Sequence, residues 1–192
     1  MIKTKADLQE YLLADAKANG RSTIKAARFG DDIWKFILSL RKMEFYINKE
    51  SGNSLLNRAL RIFHIYMYHH YCVKYCFTIP ANVFDKGLSI AHIGTIAVSM
   101  NAHVGKNCRI HEGVTIGTTN GQSEGATIGN NVFIGTGAKI IGDIYIADDV
   151  AIGANAVVTK SIDEPGTTWA GVPAKKISNN NSHSNLNPKI FE

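Results

Sequence analysis

Across the second half of the chain an apolar residue returns at every sixth position. Ile128, Ile134, Ile140, Ile146, Ile152 and Val158 share one register, and Gly129, Gly135 and Gly153 occupy the next slot after three of them. The register runs backwards through Ile116, Ile110, Val104 and Val98, with Gly117 and Gly105 in the following slot. A fixed short period marks a solenoid. Six residues per unit predict a parallel β-helix, one short strand and a tight turn per unit and three units per triangular coil. One further step back lands on His92, where an inward aliphatic residue is expected. The polar stretch TTNGQSEGAT at 118–127 interrupts the pattern and reads as a loop leaving the coil, the kind of segment that carries function on a rigid scaffold. The last strand is predicted to end near Val158.

The first 76 residues follow a helical rather than a six-residue pattern. Thr4 precedes Ala6, Asp7 and Leu8 as a helix start, and Leu8, Tyr11 and Leu12 keep helical spacing up to a break at Asn19–Gly20. Trp34, Ile37, Leu38 and Arg41 begin a second helix running towards Tyr46. Ser51–Ser54 is a loop signal, and a third helix is predicted from Leu55 to about Tyr75. Pro80 closes the helical region. The division is therefore 1–76 helical, 77–177 β-helical and 178–192 a tail, with the Asn/Ser-rich 178–184 expected to be mobile.

Residues 62–79 contain Lys74 as their only full charge, but three histidines and four tyrosines make them a poor spanning helix. A buried or trimer-facing helix is the first reading and contact with a membrane surface the lesser one. A net charge of +5 and a pI near 9.1 suit an anionic ligand. The basic residues are scattered, with no Arg/Lys stripe interleaved with aromatics, which argues against nucleic acid. Three cysteines, Cys72, Cys76 and Cys108, and no signal peptide point to a reducing, cytoplasmic compartment. Cys72 and Cys76 near His69 and His70 could form part of a metal site. Packing is the better reading, and no metal is expected.

His92 is the leading candidate for chemistry, because an imidazole titrating near neutrality is a natural general base for a hydroxyl. Its competitors are His111 and His103. Glu112 beside His111 could fix the imidazole tautomer, although neighbouring side chains on a strand point to opposite faces. His103 reads as a solvated surface residue. The glycines of the register suit tight turns and leave room for a thin extended ligand. Lys160, Lys175 and Lys176 could meet phosphates or simply stand in solvent. There is no serine-nucleophile motif, P-loop or dinucleotide fingerprint.

From Pro80 to Ile177 the chain resembles the hexapeptide-repeat acyltransferases, and within them the serine acetyltransferase branch. The resemblance rests on Gly87-Leu-Ser-Ile-Ala-His92, on Ile128-Gly-Asn-Asn-Val-Phe-Ile-Gly-Thr-Gly-Ala-Lys-Ile-Ile-Gly-Asp143 and on Ala170-Gly-Val-Pro-Ala-Lys175. The helical part with Ile33-Trp34-Lys35-Phe36 looks like the shorter versions of this branch, many of them linked to surface-polysaccharide synthesis. The resemblance implies a left-handed coil, a homotrimer, and acetyl-CoA in a groove between subunits. It implies direct transfer, with His92 as general base and a backbone N–H at the oxyanion. Gly117, Thr118, Thr119, Thr136 and Ala154 match the pantetheine-facing positions, with Lys160 and Lys175 as the phosphate candidates.

The departures bear on the acceptor. The branch has an aspartate immediately before the histidine and another fifteen residues earlier; here these are Ala91 and Phe77. Its loop carries an arginine and a histidine for the substrate carboxylate, and 118–127 holds neither. An amino acid needs charged partners, so the expected acceptor is a small uncharged hydroxyl, a sugar. His92 would then be oriented by Glu112, a backbone carbonyl or a neighbouring chain, with Asp85 a weaker candidate. The alternatives are a serine acetyltransferase, which typically ends in an isoleucine that docks on the next enzyme where this chain ends in Glu192, and a β-helix that binds without catalysis.

Overall fold

The computed structural model describes residues 1–49, 54–120 and 123–192. Ser51, Gly52 and Asn53 of the loop signal, and Gly121 and Gln122 of the 118–127 excursion, lie outside the described residues. Three helices come first: α1 (Lys5–Ala18), α2 (Asp32–Asn48) and α3 (Leu55–Tyr75). Thr4 caps α1 as its position predicts. Its hydroxyl accepts from the Asp7 N–H while the Asp7 carboxylate accepts from the Thr4 N–H, so two donors that the helix leaves free are satisfied reciprocally.

The coil then winds through twelve short strands: β1 (Phe77–Thr78), β2 (Ser89–Ile90), β3 (Ile96–Val98), β4 (His103–Val104), β5 (Arg109–Ile110), β6 (Thr115–Gly117), β7 (Thr127–Ile128), β8 (Phe133–Ile134), β9 (Lys139–Ile141), β10 (Tyr145–Ile146), β11 (Ala151–Ile152) and β12 (Val157–Val158). They stack as three parallel faces, β1-β3-β6-β9-β12, β4-β7-β10 and β2-β5-β8-β11. The six-residue register is the inner lining: Val98, Ile116, Ile140 and Val158 stack on one face, Val104, Ile128 and Ile146 on the second, and Ile110, Ile134 and Ile152 on the third, all buried. One corner turns through left-handed Asn107, Asn131 and Asp149, a conformation that Asn and Asp tolerate. The amide of Asn107 donates to Asn131 and that of Asn131 to Asp149, each at 2.9 Å, which ties coil to coil.

The strand pattern differs from expectation in three places. Ile90, not His92, is the inward residue above Ile110. Ile90 to Ile110 is a step of 20 residues where Val98 to Ile116 is 18, so two extra residues sit in the turn after β2 and throw His92 outward, where it is exposed. Strands continue past Val158, with β13 (Thr168–Ala170) extending the third face and β14 (Lys175–Ser178) pairing antiparallel to it. The tail is packed, not loose. Ser182 is buried with its hydroxyl on the Asn131 carbonyl, the His183 ring lies 2.7 Å from the Asp149 carboxylate, and a 3-10 turn over Pro188–Phe191 reaches α1. The polar composition suggested mobility, but Ser182 and His183 have partners on the coil.

Helices and coil are joined through one buried cation. Arg41 of α2 is fully buried and directs its guanidinium to the Asp15 and Glu44 carboxylates and to the Phe84 and Asp85 carbonyls, at 2.7–3.2 Å. Asp15 also accepts from the Gly87 and Leu88 N–H groups, and Glu44 from the Asn82 N–H. Those contacts hold the segment leading into β2 and so fix where the His92 turn begins. The third helix packs one face on α2, with Tyr46 stacked on His64 at 4.5 Å. Its other face is open, so in the single chain it is not the buried helix expected. Among the described residues no helix is long and apolar enough to cross a membrane.

Candidate active site

Each coil turns from the third face to the first at the same corner, and this corner collects the strongest candidates. His92 lies in the widened turn after β2. His111 and Glu112 follow β5, Thr136 follows β8 and Ala154 follows β11, one below another. The His92 and His111 rings meet edge to face with centroids 5.6 Å apart, and His111 rests against Phe133 at 5.2 Å. His111 Nδ1 is 4.0 Å from the Glu112 carboxylate, so the two groups do meet although they are consecutive. The turn beyond the strand end breaks the alternation that would have separated them. Gly94 allows the approach of the upper turn, because a methyl group there would lie 2.9 Å from the Glu112 Cβ.

The electrostatics follow from this packing. Burial, then the Arg109 guanidinium, hold the His111 imidazole below its ordinary range and favour a neutral ring. Glu112 is held below the usual carboxylate range, first by the Thr136 hydroxyl that donates to it. The corner thus presents a fixed carboxylate and a neutral imidazole beside an exposed histidine. Arg109 Nε, His111 Nε2 and one Glu112 oxygen are buried without a protein partner. Buried polar atoms are normally paired, so an ordered water or a ligand at this corner would satisfy them.

Among the described residues, His92, His111 and Glu112 are the one set of three whose ligand atoms approach closely enough to consider an ion, all within 4.8 Å of one another. Ligands about 2.0–2.1 Å from a zinc ion stand only about 3.4 Å apart. Two imidazoles and a carboxylate this close can also pass a proton between them. The residues Cys72 and Cys76 take no part in it, one half-buried and one exposed.

The other candidates fall elsewhere. Gly117, Thr118, Thr119 and Lys160 line the next corner round, across the face built by β3, β6, β9 and β12. The expected cofactor residues therefore occupy two corners of one chain, with Thr136 and Ala154 below His92 and the rest opposite. At the far end of the coil Lys160 and Lys175 share a cavity with Trp169 and Pro173. Lys176 is paired to Glu164 at 2.6 Å. His103 is exposed, as expected of a surface residue. Asp85 is engaged by the Lys86 N–H at 2.7 Å and by Tyr11, and Phe77 is a core residue against Phe36 at 4.8 Å, so neither orients His92.

One feature near this corner was not visible in the motifs. A cavity lined by Asn19, Arg21, Asp31, Asp32, Trp34, Ile90 and Ile93 opens between the helices and the turn carrying His92. Arg21 is paired to Asp31 at 2.9 Å. The acidic Asp31-Asp32 pair at the start of α2 was the available signal, but it reads equally well as ordinary helix capping.

Comparison with known proteins agrees with this architecture. Residues 125–160 match the bacterial transferase hexapeptide (six repeats) family. A serine acetyltransferase of Helicobacter pylori (strain J99) is 38% identical over 102 residues, 52% of this chain and 58% of that protein. That of Escherichia coli (strain K12) is 34% identical over 130 residues, 66% of this chain and 47% of that one. The chain spans about half the length of the curated relatives it matches. Among solved structures, serine acetyltransferase from Brucella abortus strain S19 superposes with a TM-score of 0.70 at 26% identity, over 93% of this chain and 72% of that chain. The coil is accordingly the left-handed parallel β-helix. The coils carry the hexapeptide repeat, and over them the chain is similar to serine acetyltransferases.

Proposed function

We propose that the protein is an O-acetyltransferase that moves the acetyl group of acetyl-CoA onto a small hydroxyl acceptor. The observation that carries this is the corner where His92 stands exposed within 4.8 Å of the His111 ring and of a Glu112 carboxylate fixed by Thr136. His92 takes the acceptor hydroxyl proton as the oxygen attacks the thioester carbon. The tetrahedral oxyanion then collapses, the carbon–sulfur bond breaks, and the imidazolium returns the proton to the departing thiolate. Glu112 steadies the imidazolium while it exists, and neutral His111 adds no opposing charge. Acetyl-CoA as donor is supported by the Brucella abortus serine acetyltransferase solved in complex with coenzyme A, which is 26% identical. The two corners that hold the cofactor candidates lie across a face of one chain, so a site using both is built between the His92 corner of one subunit and the Thr118 corner of another.

The acceptor reading shifts from the one the motifs suggest. The names of the relatives favour L-serine. Charged groups also stand near this corner, Arg109 beside His111 and, in the cavity beneath the His92 turn, the Arg21–Asp31 pair and Asp32. Serine is therefore placed ahead of a sugar. Ala91 and the buried Phe77 at the branch's two aspartate positions keep the sugar as second reading. The test is thiol release from acetyl-CoA with L-serine, beside a panel of sugars and nucleotide sugars. Serine turnover supports the first reading and sugar-only turnover the second. No acceptor-dependent thiol release with any of them, together with no binding of acetyl-CoA, overturns the transferase.

A further inference from the structure

A second charged cavity lies in the cleft between α2 and α3 and shares no residue with the His92 corner. Lys35, Ser39 and Lys42 follow one another down one face of α2 at steps of four and three, and look across at Phe63, His64 and Met67 of α3. Ser39 forms its floor. It is only 6% exposed, and its hydroxyl oxygen has no hydrogen-bond partner among the described residues. A buried hydroxyl is normally paired, so a molecule from outside the chain has a place to meet it. No carboxylate lines the cavity. The acids of α2 are engaged elsewhere: Asp32 accepts from the Tyr75 hydroxyl at 2.7 Å, and Glu44 is 3.0 Å from Arg41. Asp31, just before the helix, is paired with Arg21. Burial, then the Lys42 ammonium, hold the His64 imidazole below its ordinary range and keep it neutral. The cleft therefore presents two cations and an unpaired hydroxyl beside an apolar wall, with no anion of its own.

We propose that this cleft binds a small organic carboxylate with an apolar body. Lys35 and Lys42 are seven residues apart, about 10 Å along the helix, and their flexible four-carbon stems let both ammonium groups reach one carboxylate held over Ser39. The Ser39 hydroxyl donates to a carboxylate oxygen and so gains the partner it lacks. The apolar body lies against Phe63 and Met67, a thioether that adapts to the shape it meets. The cavity volume is about 240 Å³, below the range of about 300–1,000 Å³ that holds drug-sized ligands. That size excludes a nucleotide and selects a small acid. Inorganic phosphate fits less well. It would leave the Phe63 and Met67 wall unused, and no arginine lines the cavity to grip it bidentately. The proposal is independent of the acceptor and of catalysis.

Calorimetric titration of the full chain with benzoate tests it, beside acetate, benzamide and inorganic phosphate. Benzoate is expected to bind about tenfold or more tighter than each of the other three, which lack the apolar body or the charge. The double variant Lys35→Gln, Lys42→Gln is expected to lose about tenfold or more in benzoate affinity, and Ser39→Ala about three- to tenfold, each with an unchanged circular dichroism spectrum. Lys17→Gln, which removes an exposed cation of α1 outside the cavity, keeps the wild-type affinity. Saturating coenzyme A and L-serine leave benzoate binding unchanged, which separates this cleft from the transferase site. No saturable binding of benzoate up to about 10 mM overturns the proposal. So does benzoate that binds no tighter than acetate, benzamide or phosphate, and so does an affinity that survives the double lysine variant or Ser39→Ala. Displacement of benzoate by coenzyme A or L-serine overturns it as well.

Discussion

At the scale of single residues the site is a matter of which side chains share a corner. Replacing His92 by alanine removes the proposed base, and turnover is expected to fall by about 10²-fold or more with acetyl-CoA binding retained. Steady-state kinetics beside a direct binding measurement separates the two, and near-wild-type turnover moves the role to His111. The lowered affinity of His111 for a proton has its own consequence. The unfolded chain binds that proton more readily, so the contribution of His111 to stability is present above its unfolded value of about 6.5 and is lost as the pH falls through the lower folded value. Unfolding midpoints followed from about pH 8 to about pH 5 should show wild type losing ground to His111→Asn. Parallel profiles would mean that burial and Arg109 do not act on the ring as described.

At the scale of elements the widened turn after β2 is decisive. Two added residues turn a lining position into an exposed one, and Gly94 lets that turn lie against Glu112. Gly94→Ala would force apart atoms that already touch. The expected result is a lower kcat and a lower melting temperature with little change in affinity for acetyl-CoA, read from kinetics and thermal unfolding. A rise in KM alone would place the turn's role in binding. The turn also shows how a repeat can mislead. Counting in sixes from Val98 assigned His92 to the lining, because a period records the average coil and hides a local insertion. The strand pairs, with Ile90 above Ile110, correct the count.

For the whole molecule the Arg41 junction is the buried ionic connection between helices and coil, beside the apolar contacts of Phe36 and its neighbours. Arg41→Ala leaves Asp15 and Glu44 buried without their cation, and a loss of about 3–5 kcal/mol in unfolding free energy is expected by denaturant titration. A loss below about 1 kcal/mol, the scale of an exposed pair, would show that water reaches the carboxylates. The sequence by itself determined the β-helix, its core register, the three helices and the candidates His92, His111 and Glu112, because repeat period and helical spacing are local properties. Tertiary structure decided the rest. It placed His92 outside the lining, brought consecutive His111 and Glu112 together, opened a charged cavity between helices and turn, folded the polar tail onto the coil and left one face of α3 uncovered. Each depends on contacts between residues far apart in the chain, such as Arg41 with Phe84 and Asp85 or Ser182 with Asn131, and no local pattern records them.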